Sequence, residues 1–191
     1  LAKKKECRKI MEEVRKLPVK VFINNAGFGD CGSFLETDLS KEVEMIHVNI
    51  RAMHFLMKQM LCQMEKQGEG SILNVASSAG LLPAGPYMAT YYATKSYVTS
   101  LTRAVALELK EKKSNVYVGA LCPGPVDTEF NKVANVEFAI PSITPTYCAS
   151  YAIRKMEKRK IVIVPKNKMK VLAFISRVLP QSLVIRMTAR Q

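Results

Sequence analysis

Apolar positions along the chain fall into two patterns. Short runs rich in β-branched and aromatic residues occur at 19–24, 71–76, 116–121 and 161–164. Runs of that length and type predict strands. Longer stretches between them carry apolar residues at helical spacing. In residues 2–16 the apolar side is marked by Ile10 and Val14, with Leu17 beyond, and Pro18 ends the helix. A long helix is expected from about 38 to 66, capped by Thr37 or Asp38 and closed at Gly68. Another runs from Thr90 to about Lys112. Thr144 and Pro145 open a further helix as cap and first-turn residue. Residues 78–86 read as a Gly/Pro-rich loop and 126–143 as irregular. Residues 167–191 alternate basic and apolar positions around Pro180.

Strands that alternate with helices need crossover connections, which implies a parallel sheet with helices on both faces. The fold class is therefore α/β. Ligands of such sheets sit beyond the carboxyl ends of the strands. The most distinctive segments fall there: Asn24–Gly27 after the first strand, Ser77 after the second, Pro123–Thr128 after the third.

The strongest chemical signal is Tyr91-Tyr92-Ala93-Thr94-Lys95. Residues four apart share a helix face, so Tyr91 and Lys95 are neighbours. An ammonium beside a phenol is expected to lower the tyrosine pKa and make it a usable general acid or base. Tyr151 and Lys155 repeat the spacing inside a basic helix, but no serine-ended strand precedes them.

Charge changes the picture at the ends only. The 191 residues carry a formal net charge of +13. Residues 21–150 hold ten basic and twelve acidic side chains, whereas 151–191 hold eleven basic and one acidic. Residues 1–20 hold eight basic and three acidic. The body is near neutral, and no zinc spacing or aromatic RNA-binding pattern accompanies the basic ends, so nucleic acid is not an expected partner. The tail's alternation fits either packing on the body or a dimer partner, or contact with an anionic membrane surface. No apolar run approaches the ~20 residues of a membrane span. Five widely spaced cysteines suggest free thiols in a reducing, cytoplasmic setting. With only His47 and His54 present, no metal site is expected.

Taken in order, Asn24-Asn25-Ala26-Gly27, Val48-Asn49, Ser77, Tyr91 with Lys95, and Pro123-Gly124-Pro125-Val126-Asp127-Thr128 resemble the short-chain dehydrogenase/reductase family. The resemblance runs from about residue 19 to 165, in the manner of steroid and 3-ketoacyl reductases. It implies a Rossmann-like sheet and an NAD(P)-dependent oxidoreductase that interconverts a carbonyl and a secondary alcohol by hydride transfer. In that family pattern Tyr91 is the general acid/base and Lys95 its electrostatic partner, bonded also to the nicotinamide ribose. Ser77 orients the substrate oxygen, and Asn49 keeps a water that links Lys95 to solvent. Ser78, which restores a thirteen-residue gap to Tyr91, is the alternative serine. Asn25, Ala26 and Gly27 lie along the adenosine half of NAD or NADP; Pro123, Gly124, Val126 and Thr128 shape the nicotinamide pocket. The apolar residues Val133, Val136, Phe138 and Ile140 suggest a hydrophobic substrate.

The resemblance also implies a strand and Gly-rich turn for the pyrophosphate, and neither is present in the sequence. The expected domain is thus a partial Rossmann-like unit, 1–166, that lacks its first three strands, with 167–191 as its helical tail. Cofactor binding by these residues alone is expected to be weak or absent, and the first strand to form a bare edge. Two copies are expected to pair or aggregate through that edge, or residues 1–18 to be mobile; the resemblance implies pairing through the long helices, 38–66 and 90–112. The alternative is a non-catalytic scaffold or membrane-surface protein that retains the fold.

Overall fold

The computed structural model describes residues 1–136 and 140–189. The chain forms α1 (Lys4–Val14), β1 (Val21–Asn24), α2 (Leu39–Ile46), α3 (Met53–Gln67), β2 (Gly70–Val75), α4 (Ala89–Glu111), β3 (Val116–Leu121), α5 (Phe130–Val133), α6 (Pro145–Glu157), β4 (Val162–Ile163), α7 (Asn167–Ile175) and α8 (Gln181–Thr188). The four strands form one parallel sheet in the order β1-β2-β3-β4. Register pairs Val21 with Ser71, Gly70 with Val116 and Ala120 with Val162.

Alternation along the strands divides the core between the two faces. Ile72, Val116, Val118 and Ala120 face α3 and α4, packing with Met57, Met60, Met64 and Val98. Leu73, Leu121 and Ile163 face the other way, onto Cys148 and Ala152 of α6. Each large side chain so buried contributes about 1.5–3 kcal/mol. Val21 and Ile23 at the edge of the sheet remain 48% and 47% exposed.

The caps explain most helix boundaries. Asp38 accepts from the Ser40 amide at 2.8 Å, while Thr37 bonds Glu42 instead. Thr144 accepts from the Tyr147 amide and Pro145 follows it. Gly68 closes α3 with a φ of 80°, a left-handed value that a side chain resists. The expected single helix from 38 to 66 contains a π-helical segment at His47–Ala52, which joins α2 to α3. The irregular stretch 126–143 contains the short α5, and Val126 bridges Ile143. Phe138 lies outside the described residues. The tail resolves into two helices, with Pro180 preceding the second. Met169, Ala173, Val184 and Thr188 turn inward, and the Thr188 hydroxyl donates to the Ala84 carbonyl at 2.8 Å.

One polar chain crosses this apolar interior. Asn24 on β1 donates to Asn74 on β2 at 2.9 Å, and Asn74 donates to Thr102 on α4 at 2.9 Å. Asn74 and Thr102 are fully buried. Asn74→Leu leaves the Asn24 amide without its main acceptor and is expected to cost about 2–4 kcal/mol in urea unfolding. A loss below about 0.5 kcal/mol, typical of a surface change, contradicts the role given to this chain.

Candidate active site

Three strand ends and one helix converge on a cleft of about 480 Å³. β2 ends at Val75, and the backbone continues extended through Ser77. The Ala76 amide donates to the Leu121 carbonyl at 2.8 Å and the Ser78 amide to the Pro123 carbonyl at 2.7 Å. These bonds carry the β2–β3 pairing past the strand ends and bring Ser77 beside Pro123. Ser77 then caps the short 3₁₀ turn Ser78–Leu81 by accepting from the Ala79 amide at 3.1 Å. Gly80 in that turn lies against the Lys95 carbonyl and the Thr99 hydroxyl of α4, where a Cβ has no room. The serine loop therefore seats directly on the first turns of α4.

The Ser77 hydroxyl faces the Tyr91 phenol and acts to lower its pKa. Tyr91 is 7% exposed and Lys95 5%. The Lys95 ammonium donates to the Val75 carbonyl at 3.0 Å and lies 5.7 Å from the centroid of the Tyr91 ring. Asn49, in the π-helical segment, is 2% exposed. Its side chain accepts from the Phe28 amide at 3.1 Å and donates to the Phe28 carbonyl at 2.8 Å and to Thr94 at 3.1 Å. Thr94 donates in turn to the Tyr91 carbonyl at 2.8 Å. Asn49 thus ties the loop after β1 to the helix that carries Tyr91 and Lys95. Gly27 closes the group: a Cβ there meets Asn49 Oδ1 at 2.9 Å and Lys95 Nζ at 3.2 Å.

Burial, rather than the Tyr–Lys pairing, sets the electrostatics. It pushes the Tyr91 phenol up to about 12, against a smaller lowering by the Ser77 hydrogen bond. The same burial pushes the Lys95 ammonium down to about 8. This corrects the expectation of a lowered tyrosine. Lys95 has already lost its proton at the pH where the phenol would ionise. Tyr91 is therefore a protonated donor at neutral pH, beside a lysine within reach of losing its proton. Cys122, buried next to Thr99, is raised to about 11 by burial and stays a thiol.

Asn25, Gly27, Ser77, Ser78, Tyr91 and Lys95 all line the cleft. Pro123, Gly124, Val126 and Thr128 line it from the β3 side. Ala26 is exposed outside it, and Asn49 lies buried behind it. Ile140 reaches the cleft, and Val136 packs in the small cluster around Tyr91 and Phe130; Val133 is 51% exposed. Sequence reasoning missed the apolar wall formed by Leu82, Met88, Phe130 and Met169. The Phe130 ring centroid lies 5.3 Å from that of Tyr91. Met169 comes from the tail; the spacing of Met169, Ala173 and Ser176, four and three apart, is the signal that marks this inner face.

Comparison with known proteins gives the class of this fold. The short chain dehydrogenase model matches residues 1–137, and the chain belongs to that family. A "Dehydrogenase/reductase SDR family member 6" from Aquarana catesbeiana is 30% identical over 128 residues, 67% of this chain and 51% of its own length. The chain spans about half the length of the curated relatives it matches. Among solved structures, a short-chain dehydrogenase from Sphingobium yanoikuyae in complex with NADPH superposes with a TM-score of 0.80 at 23% identity, covering 93% of this chain and 71% of that one. One from Burkholderia phymatum in complex with NAD gives a TM-score of 0.80 at 22% identity, covering 91% and 71%. The parallel Rossmann-like sheet is the fold they share. No helix among the described residues is long and apolar enough to cross a membrane.

The depressed Lys95 pKa has a measurable consequence. Between pH 8 and 10.5 the unfolded chain binds more protons than the folded one, so this lysine's contribution to stability rises through that window and is lost as pH falls through about 8. At ~1.4 kcal/mol per pH unit the full rise is about 3 kcal/mol. Urea unfolding of Lys95→Met across this range is expected to lack the rise. Parallel wild-type and variant curves contradict the depressed pKa.

Proposed function

We propose that this cleft carries the proton-transfer machinery of an NAD(P)-dependent oxidoreductase that interconverts a carbonyl and a secondary alcohol on a hydrophobic small molecule. The observation that carries the reading is that Ser77 and Tyr91 line one apolar cleft together, with the Lys95 ammonium beside them.

The residues fit the nicotinamide end of such a cofactor. Lys95 has three donors and, among the described residues, a single acceptor, Val75, which leaves two N–H groups for ribose hydroxyls. Gly27 leaves backbone bare beside that ammonium. Pro123, Gly124, Val126 and Thr128 would border the carboxamide, with Asn25, Ala26 and Gly27 toward the adenosine. When bound, NADH or NADPH supplies the hydride.

The chain's own residues then do four things. Ser77 and Tyr91 hold the substrate oxygen by donating hydrogen bonds, which strengthen as negative charge develops on it. Tyr91 passes its proton to that oxygen as the carbonyl becomes a hydroxyl, and takes one back in the reverse direction. Lys95 faces the resulting phenolate with its positive charge and shares its own proton with the solvent-linked path behind it. Asn49 is a positioning residue that fixes Phe28 and Thr94, and in the family pattern it retains the water on that path. Burial keeps Tyr91 protonated at neutral pH, which favours its use as an acid in carbonyl reduction. Leu82, Met88, Phe130 and Met169 supply the apolar surface for the substrate body. Exposed Ile46, Tyr97 and Leu107 on α2 and α4 support pairing of two copies along these helices.

The test is steady-state reduction of a bulky apolar ketone with NADH or NADPH at millimolar concentration. Tyr91→Phe is expected to lower kcat by about 10²–10⁴-fold, the usual contribution of a general acid, with a smaller change in the ketone KM. A Tyr91→Phe protein that turns over at the wild-type rate contradicts the assignment.

A further inference from the structure

The two terminal helices divide their side chains sharply. Met169, Ala173 and Ser176 of the α7 region and Val184 and Thr188 of α8 are buried against the body. On the outer side, Val171, Phe174 and Val178 are 55%, 68% and 72% exposed, at spacings of three and four. Leu183 and Met187 repeat this on α8, four apart. Apolar residues so disposed form an exposed stripe on the outer side of α7 and the turn after it, and a shorter one on α8.

Positive charge borders the stripe throughout. Lys168, Lys170, Arg177 and Arg186 are exposed, and no acidic residue follows Glu157 in the sequence. Lys170 donates to the Tyr151 hydroxyl at 3.0 Å and lies 5.6 Å from the ring centroid; Lys155 lies 5.3 Å from it on the other helix. The Tyr151–Lys155 pair that copies the spacing of Tyr91 and Lys95 is therefore not a second proton-transfer site. It continues the cationic, aromatic surface of α7 onto α6.

We infer that the outer face of α7 and α8, with the neighbouring end of α6, docks the protein on an anionic lipid bilayer surface. An exposed apolar stripe flanked by lysine and arginine is the composition of a helix that lies in the membrane interface. Apolar side chains enter the headgroup boundary while the basic ones meet lipid phosphates and carboxylates. Charge selects this occupant over a second copy of the chain. Two such faces brought together would oppose Lys168, Lys170, Arg177 and Arg186 on each side, with no acidic residue among 158–189 to pair with them. Met169, on the inner side of the same helix, lines the cleft. Docking would set that wall about one helix diameter, ~10 Å, from the lipid.

Flotation of the full chain with phosphatidylcholine vesicles, with and without phosphatidylserine, tests this. Binding is expected to require phosphatidylserine and to fall as salt is raised, since screening weakens surface charge attraction. The pair Lys168→Glu and Arg177→Glu is expected to lower the bound fraction at least about tenfold. Phe174→Ser with Val178→Ser is expected to do the same through lost apolar insertion, about tenfold or more. All four positions are exposed, and far-UV circular dichroism checks that the fold persists. Absence of flotation, equal flotation without phosphatidylserine, or retention of binding in either folded double variant overturns the inference. An acidic protein as the sole partner of this face would give the first of these results.

Discussion

A lysine ammonium taken out of water is the constraint around which this site is built. Lys95 on α4 is 5% exposed and has a single acceptor among the described residues, the carbonyl of Val75 at the end of β2. Removing a cation from water costs several kcal/mol unless donors and acceptors are arranged for it. The arrangement here is specific. Gly27 has no Cβ because Lys95 Nζ and Asn49 Oδ1 occupy that space, and Gly80 has none because the Lys95 carbonyl does. The loop after β1, the turn after β2 and the start of α4 are thereby held at mutual van der Waals distance. Tyr91, one turn before Lys95, shares the same dry setting and pays for it with a raised pKa.

The scaffold that permits this is an ordinary parallel sheet with one unusual seam. Asn24, Asn74 and Thr102 run a buried polar chain from β1 through β2 to α4. Such a chain fixes the register between sheet and helix more narrowly than apolar contacts, because each group loses its partner on slipping by one residue. The π-helical segment at His47–Ala52 has a similar effect. Its extra residue per turn aims Asn49 at Phe28 and Thr94, linking two elements far apart in sequence.

Much of this was legible from residue order. Runs such as Ile72–Ala76 and Val116–Leu121 announce buried parallel strands because both faces are covered. Pro145 after Thr144 and Gly68 after α3 mark helix ends through local backbone chemistry, which needs no tertiary information. Asn25, Gly27, Ser77, Tyr91, Lys95 and Pro123–Val126 share one cleft because they lie just beyond strand ends or on the first turns of α4, whereas Ala26 stays outside it and Asn49 behind it. Three things were not legible. The π-helical segment depends on tertiary bonds to Phe28 and Thr94. Asn74 sits inside a run read as apolar, and its partners Asn24 and Thr102 are distant in sequence. The Tyr91 pKa went the wrong way in the sequence reading: spacing reports that a lysine is near, but burial acts on both groups and outweighs their attraction.

That reversal can be observed directly. With tyrosine labelled at ζ-carbon with ¹³C, the Tyr91 resonance, assigned by its loss in Tyr91→Phe, reports phenol ionisation as pH is raised. Burial as the governing term predicts that Tyr91 remains a phenol through pH 10 and ionises near 12, after Lys95 has lost its proton near 8. A Tyr91 midpoint below 10 would mean that the lysine charge prevails over burial, and would contradict the account.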